Sequence, residues 1–463
     1  NMAEVRREGQ STTTSQHSTG PRLVKAVLLH WHGARSPTMA ALKRLKPEVS
    51  DFEGERLYEE WREMGMESLT SIGTHQMVQL GKWLREDYFD VEHPSFIQAH
   101  DCVHWYSSSS ERAIESGQAF WKGFGCDEEP QEPLPLSSHP SELPQFYFQA
   151  WRFNKEFRMA VQQVIYQPDF KKLARANEAL LRRVWKTISE SAAEKYDPVE
   201  MLFYLPYIDE YSQCEAYWPS GQQVVLSKFA PEEQMEIAEL SQWVTERKLF
   251  IPGFGSLIGG KLLHHVTETL RGEGTNSAKL SVYSCHDYSI YGVLSALGLP
   301  HLPSLPTHVL GFGSSLLFEC YETEQKSRRV RVRLLPLPFR DPRFQPEYDV
   351  TKPTILDGLI DISFVGILPV IVQTRQNPSS KKDEKMKTIP LDILVKLSER
   401  FDLNWMKTSQ YKHTVKALKA GHQMDDGMQA GAMPRFTHFM TVPFLAVMVV
   451  VLLRVVYSRR KAS

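Results

Sequence analysis

Val24-Lys25-Ala26-Val27-Leu28-Leu29-His30-Trp31-His32-Gly33-Ala34-Arg35-Ser36-Pro37 is the stretch on which the fold turns. Its first six residues are mostly apolar and lack the strict polar alternation of a half-exposed strand, which suits a strand buried in a parallel sheet. An imidazole, a glycine, a guanidinium and a proline follow at once. The C-terminal edge of such a strand is where open α/β sheets carry their sites. A second strand-like run, Leu280-Ser281-Val282-Tyr283-Ser284-Cys285, leads into His286-Asp287 in the same way. Neutral imidazole is a competent phosphoryl acceptor at mildly acidic to neutral pH. A guanidinium adds a planar fork matched to phosphate oxygens. Between them the two segments supply a nucleophile, an acid and a phosphate clamp.

Working outward, Thr70 to Tyr88 reads as a helix, with Met77, Leu80, Gly81 and Leu84 at helical spacing and Ser68 or Thr70 as its cap. Residues 101–106 read as the next strand. The run Ser107-Ser108-Ser109-Ser110-Glu111 then resembles a loop and helix N-terminus, where free amides favour an anion. A Pro-dense stretch from Glu129 to Pro144 marks a boundary. Beyond it strands give way to helices: Leu173, Leu180, Val184 and Ile188 share a face, and Pro231 to Lys248 forms a helix opened by proline. This block reads as a helical cap over the site. Its aromatics Trp151, Tyr166, Tyr204 and Tyr207 are read first as cap core and second as pocket lining. Ser315 to Glu319 and Val330 to Leu334 look like an antiparallel edge pair.

The expected fold is α/β, a central mostly parallel sheet flanked by helices, with an inserted helical cap domain and a C-terminal transmembrane helix. Its expected segments are a disordered 1–21, an α/β core over 22–128 and 272–406, the cap over 129–271, a stalk over 407–435, the membrane helix over 436–457 and a basic tail over 458–463. With 463 residues, 42% of them hydrophobic, there is ample material for one large or two medium domains. Lys plus Arg number 54 against 55 for Asp plus Glu, so no global field recruits nucleic acid.

From Phe436 to Tyr457 the chain is almost wholly apolar, about the span of a bilayer core, and Arg459-Arg460-Lys461 follow. A single-pass membrane anchor is expected, with Arg454 reaching back to the headgroups. The positive-inside rule puts the basic tail in the cytoplasm and the body in a lumen or outside. Against that orientation, the five cysteines are odd in number and no Asn-x-Ser/Thr acceptor occurs, Asn377 being followed by Pro378. A cytosolic, tail-anchored body is the alternative. Asn1 to Pro21 has no apolar run of the secretory kind.

The chain resembles the histidine acid phosphatase family, whose hallmark is R-H-G-x-R-x-P early and H-D late. Three further stretches fit the pattern: Leu69-Thr70-Ser71-Ile72-Gly73-Thr74-His75-Gln76 running on to Arg85, Ser107 to Ser116, and Ile389-Pro390-Leu391. The likeness spans roughly residues 22 to 406. It implies a phosphomonoesterase in which His32 attacks phosphorus, Asp287 protonates the leaving oxygen, and Arg35 and His286 bind the phosphate, with no metal and no cofactor. Gly33 would let the backbone approach the phosphate, and acidic working pH is implied. Two departures stand out. Where the family has arginine, this chain has Trp31 directly before the nucleophile and Tyr106 before the serine run. His30 or His104, if protonated, is a conceivable replacement for that charge. Two alternative functions follow: a weak or inactive pseudophosphatase kept as a binding module, and a lysophosphatidate-type lipid phosphatase, since the H-G-A-R-S-P wording is like that branch. The partner is therefore a phosphomonoester, small molecule or lipid phosphate; a phytase-like activity is not expected, because inositol phosphates would want a basic pocket and the inserted block is not conspicuously basic, and oligomeric state is open.

Overall fold

The computed structural model describes residues 20–39, 41, 52–94, 96–97, 103–125, 132–134, 145–188, 190–218, 225, 228–251, 255–272, 278–298, 310–336, 338–339, 360–365, 368–372 and 388–407. Strand β1 (Arg22–Trp31) is followed by helices α1 (Phe52–Met64) and α2 (Ser71–Lys82), then β2 (Val103–Ser107) and α3 (Glu111–Gly123). Every described element between α3 and the next strand is helical. The longer ones are α4 (Lys155–Gln163), α5 (Pro168–Ala176), α6 (Glu178–Ile188), α7 (Pro198–Ala216), α8 (Pro231–Leu249) and α9 (Gly255–Arg271). The chain returns to the sheet in β3 (Leu280–Cys285) and α10 (Asp287–Ala296), and continues through β4 (Ser315–Glu322), β5 (Arg328–Leu335), β6 (Ile360–Val365), β7 (Leu368–Val372), β8 (Ile389–Pro390) and α11 (Leu391–Lys407).

The sheet runs in the order β2-β3-β1-β4-β5-β6-β7, with β8 on β5. Among the described residues only β1 with β3 and β2 with β3 pair in parallel; the other pairings are antiparallel. The sheet is therefore mixed, not mostly parallel as the sequence suggested. Connection length explains the difference, because parallel neighbours need a crossover of a dozen or more residues whereas a tight turn joins antiparallel ones. Helical crossovers precede β2 and β3, while Thr323 to Ser327 turn β4 directly into β5. The β4–β5 pair is antiparallel, as expected, but is not an edge: β4 lies between β1 and β5.

Residues alternate along β1 between two apolar clusters, as period two demands. Val27, Leu29 and Trp31 join the helical block and α10 in one; Leu28 joins Met77 and Leu80 of α2 and Phe120 of α3 in the other. Thr70 caps α2, its hydroxyl accepting from the Gly73 amide at 2.9 Å. The run from Leu173 to Ile188 is broken at Asn177 into α5 and α6, with Leu180, Val184 and Ile188 buried. Among the described residues no helix is long and apolar enough to cross a membrane. The expected stalk, transmembrane helix and tail lie outside the described residues, as does the N-terminal 1–19.

Candidate active site

Parallel pairing of β1, β3 and β2 brings three strand ends to one edge of the sheet. Trp31 is in register with Cys285, and Ser107 with Ser284. The first residues beyond the strands are then tied across: the His32 amide donates to Cys285 O at 3.3 Å and the Ser108 amide to Ser284 O at 3.0 Å. His32 and His286 consequently meet edge to face, ring centroids 5.5 Å apart.

The His32 tautomer is fixed by three partners. Its Nδ1 lies 2.9 Å from the Gly33 carbonyl, which can only accept, so Nδ1 carries the proton. Nε2 receives two donors, Trp31 Nε1 at 3.0 Å and Arg112 Nε at 3.1 Å. The lone pair is thus on Nε2. Burial first, then the charges of Arg112 and Arg35 and the neighbouring His286, hold the His32 pKa well below its ordinary value, so the ring stays neutral in mild acid.

The loop after His32 is wedged in place by α2 and α3. Gly33 N donates to Ser116 Oγ (3.1 Å) and Ala34 N to Gln76 Oε1 (2.9 Å), while Ala34 O accepts from the Thr70 amide and hydroxyl. A side chain at Gly33 would put Cβ 2.3 Å from Gly73 O. Here the glycine serves the close approach of the loop to α2, a reason the sequence reading did not contain.

Arg35 is buried, and its Nη1 donates to Glu210 Oε1 of α7 at 3.0 Å. Arg112, in the first turn of α3, is buried as well; its Nη1 donates to Glu67 Oε2 at 2.8 Å. Glu67 holds that position with a left-handed backbone, φ 64°. Although burial pushes the Glu67 carboxyl up, Arg112 and Arg35 outweigh it and the pKa is lowered. His286 Nε2 meets Ser108 Oγ at 2.9 Å and accepts from the Gln149 amide at 2.9 Å. Asp287 opens α10, one residue after the His286 N-cap. Burial raises its pKa from 3.8 to about 6, against the opposing pull of the Tyr288 amide and Arg35.

All four residues expected to form the site, His32, Arg35, His286 and Asp287, lie at this one edge. Tyr106 does not turn toward His32: it stacks on Tyr283 at 4.7 Å and meets His265 edge-on. His30 points the other way, stacked on Phe120 at 5.4 Å, because it alternates with Trp31 along β1. It supplies no charge to the site. Of the cap aromatics, Tyr166 is exposed and Trp151 packs on Tyr288, beside Asp287. Sequence reading missed Glu67, Glu210 and Gln149, and it matched Arg112 to the family pattern within Ser107 to Ser116 without giving it a place in the site. Arg112 had a usable signal, since it shares a helical face with Ser116, one turn on, and both reach the catalytic loop. Among the described residues no group of His, Cys, Asp and Glu is placed to hold a metal ion.

The sequence model of the histidine phosphatase superfamily, branch 2, matches residues 22–146 and 246–335, which include His32, Arg35, Glu67, Arg112, His286 and Asp287 of this site but not Gln149 or Glu210. The chain belongs to that superfamily. Solved structures similar to this branch 2 histidine phosphatase include Hafnia alvei phytase in complex with myo-inositol hexakis sulphate, at 15% identity, covering 82% of this chain and 97% of that one with a TM-score of 0.59. The Klebsiella sp. ASR1 phytase is similar at 14% identity, 82% and 96% coverage and a TM-score of 0.57. The phytase from Citrobacter braakii is similar at 15% identity, 82% and 98% coverage and a TM-score of 0.56. At these identities the likeness of this histidine phosphatase to them is one of fold. No curated protein matches its sequence.

Proposed function

We propose that this histidine phosphatase is a phosphomonoesterase that works through a phosphohistidine on His32. The observation that carries the reading is the His32 ring itself: its proton is held at Nδ1 by Gly33 O, and its Nε2 lone pair faces two buried donors, the Arg112 guanidinium and the Trp31 indole. In the first step Nε2 forms a bond to phosphorus as the ester P–O bond breaks, and the leaving oxygen takes the proton from Asp287. In the second, water attacks phosphorus, the N–P bond breaks, and the water proton returns to the Asp287 carboxylate. Splitting one displacement into two suits a neutral nucleophile beside an acid with a raised pKa. Trp31 and Tyr106 favour the second reading, a pseudophosphatase, because neither carries the charge that the family resemblance implies there.

The test is acid–base trapping of phosphoprotein together with phosphate release from an aryl phosphate, an inositol hexakisphosphate and a lysophosphatidate, for the wild type and His32→Ala. Base-stable, acid-labile phosphate and turnover are expected in the wild type and neither in His32→Ala. Undiminished turnover in that variant sinks the reading, and silence of the wild type on all three esters favours the pseudophosphatase. The apolar run from Phe436 to Tyr457, followed by basic residues, supports a further part of the proposal: the enzyme is held on a membrane by a single span. Carbonate-resistant sedimentation with membranes, lost on deletion of 436–457, checks it.

A further inference from the structure

Two N–H groups converge on the His32 lone pair, one from Trp31 and one from Arg112. An in-plane imidazole lone pair cannot stay hydrogen-bonded and also attack phosphorus, so both donors have to leave Nε2 for the reaction to proceed. In-line attack brings phosphorus to about 3 Å from Nε2. The equatorial phosphoryl oxygens then lie around the line of attack, in the space that the two donors flank. They are also the atoms on which charge is concentrated.

We propose that Trp31 Nε1 and Arg112 are the donors to the phosphoryl oxygens, and that the same contacts cap the His32 nucleophile until those oxygens draw them off. The inference rests on the phosphomonoesterase reading. It assigns phosphate binding to two residues outside the set of four read from the motifs. Arg112 is not simply a structural ion-pair partner of Glu67, because Glu67 takes only Nη1 while Nε is aimed at the nucleophile. No protein acceptor meets its Nη2 among the described residues, which leaves the outer arm of the fork for a second oxygen. Trp31 is held for the purpose by Phe312, ring centroids 4.9 Å apart. An indole offers one neutral donor where a guanidinium offers a charged fork, so the site keeps the contact and gives up the charge.

The experiment uses the full chain. Turnover of an aryl phosphate and calorimetric binding of inorganic phosphate are measured for the wild type, Arg112→Gln, Trp31→Phe and Trp31→Arg, with thermal melting as the folding control. Loss of a charged donor predicts a fall in kcat/KM of about 100-fold for Arg112→Gln. Loss of a neutral one predicts about 10-fold for Trp31→Phe. Phosphate binding weakens in both, and Trp31→Arg recovers at least the loss seen in Trp31→Phe. A packing role for Trp31 predicts the reverse order, since arginine would bury a charge against Phe312. Independently of any variant, the indole N–H signals of the ten tryptophans are followed by NMR while inorganic phosphate is added. At least one is expected to shift. The inference is overturned if none shifts, if the wild type binds no phosphate, or if folded Arg112→Gln and Trp31→Phe bind and turn over like the wild type. Intact turnover in His32→Ala would instead remove the phosphomonoesterase reading, while the phosphate-binding results would still decide the clamp.

Discussion

Arg35 of the catalytic loop and Glu210 of α7 form an ion pair at 3.0 Å that ties the helical block to the sheet edge. The same Glu210 oxygen accepts from the Thr38 amide at 3.1 Å. The Arg35 side chain is only 7% exposed, so its charge has little water to fall back on when the carboxylate is removed. Glu210→Gln keeps the size and an acceptor for Thr38 but deletes the charge. The expected outcome is a loss of roughly 1–3 kcal/mol of stability in urea unfolding. Binding of inorganic phosphate should tighten at the same time, because a negative charge beside the clamp is gone. Unchanged stability together with weaker phosphate binding would show that the pair neither braces the loop nor tempers its field.

Under the proposed mechanism Asp287 would set the alkaline side of the activity profile. As the acid for the leaving group it must carry a proton, and its carboxyl loses that proton with a pKa of about 6. The rate of ester cleavage should therefore be flat below this value and fall about tenfold per pH unit well above it. His32 imposes no matching loss in mild acid, since burial and the Arg112 charge keep its own pKa well below the ordinary imidazole value. Asp287→Asn should slow an alkyl phosphate by roughly 10²–10⁴ and an aryl phosphate, whose oxygen leaves unaided, by much less. A rate that climbs between about pH 5 and 7 would remove Asp287 from this role.

What was legible in the sequence was the part fixed by local pattern. β1 and β3 are mostly apolar runs that lead directly into His32 and His286, so both the strands and the edge they share follow from order along the chain. α2 was legible by the spacing of Met77, Leu80 and Gly81, and its cap from Thr70. The antiparallel pairing of β4 with β5 was legible as well; what was not is that β4 lies against β1 inside the sheet and pairs with it antiparallel, since nothing in the composition of either strand names that neighbour. Partners across the site were also hidden. Glu210 and Gln149 come from the helical block and Glu67 from the turn before α2, and which carboxylate meets which guanidinium depends on how those elements dock. Tyr106 illustrates the opposite case: its position in β2 was plain, but its burial against Tyr283 and His265 depends on a helix, α9, far along the chain.

Gly33 and Gly73 are placed back to back. A Cβ on Gly33 would meet Gly73 O at 2.3 Å, and one on Gly73 would meet Ala34 O at 2.1 Å. Both obstacles are backbone atoms of a capped helix and a pinned loop, and neither can move like the end of a flexible side chain. Gly33→Ala should cost about 1–3 kcal/mol in unfolding measurements, the range of overpacked sites. Because the displaced loop carries His32, turnover should fall by more than the loss of folded protein accounts for. A Gly33→Ala protein as stable and active as the wild type would show the loop to be free of α2.

His30 carries a stability cost that grows in acid, where the enzyme is expected to work. The ring is fully buried, donates from Nδ1 to Trp31 O at 3.1 Å, and leaves Nε2 without a partner among the described residues. Burial lowers its pKa from 6.5 to about 4, with only partial relief from the Trp31 carbonyl. The unfolded chain therefore takes up a proton as pH falls through 6.5 that the folded chain refuses until about 4. Stability present above 6.5 is lost across that window, by about 3 kcal/mol for this one group. His32 and His286, also held well below their ordinary values, add losses of the same sign. His30→Phe would keep a ring against Phe120 while removing the titration. Urea unfolding at a series of pH values should then show a slope reduced by about 1.4 kcal/mol per pH unit, the contribution of one proton. An unaltered slope in a folded His30→Phe protein would mean that His30 is already protonated in the native state.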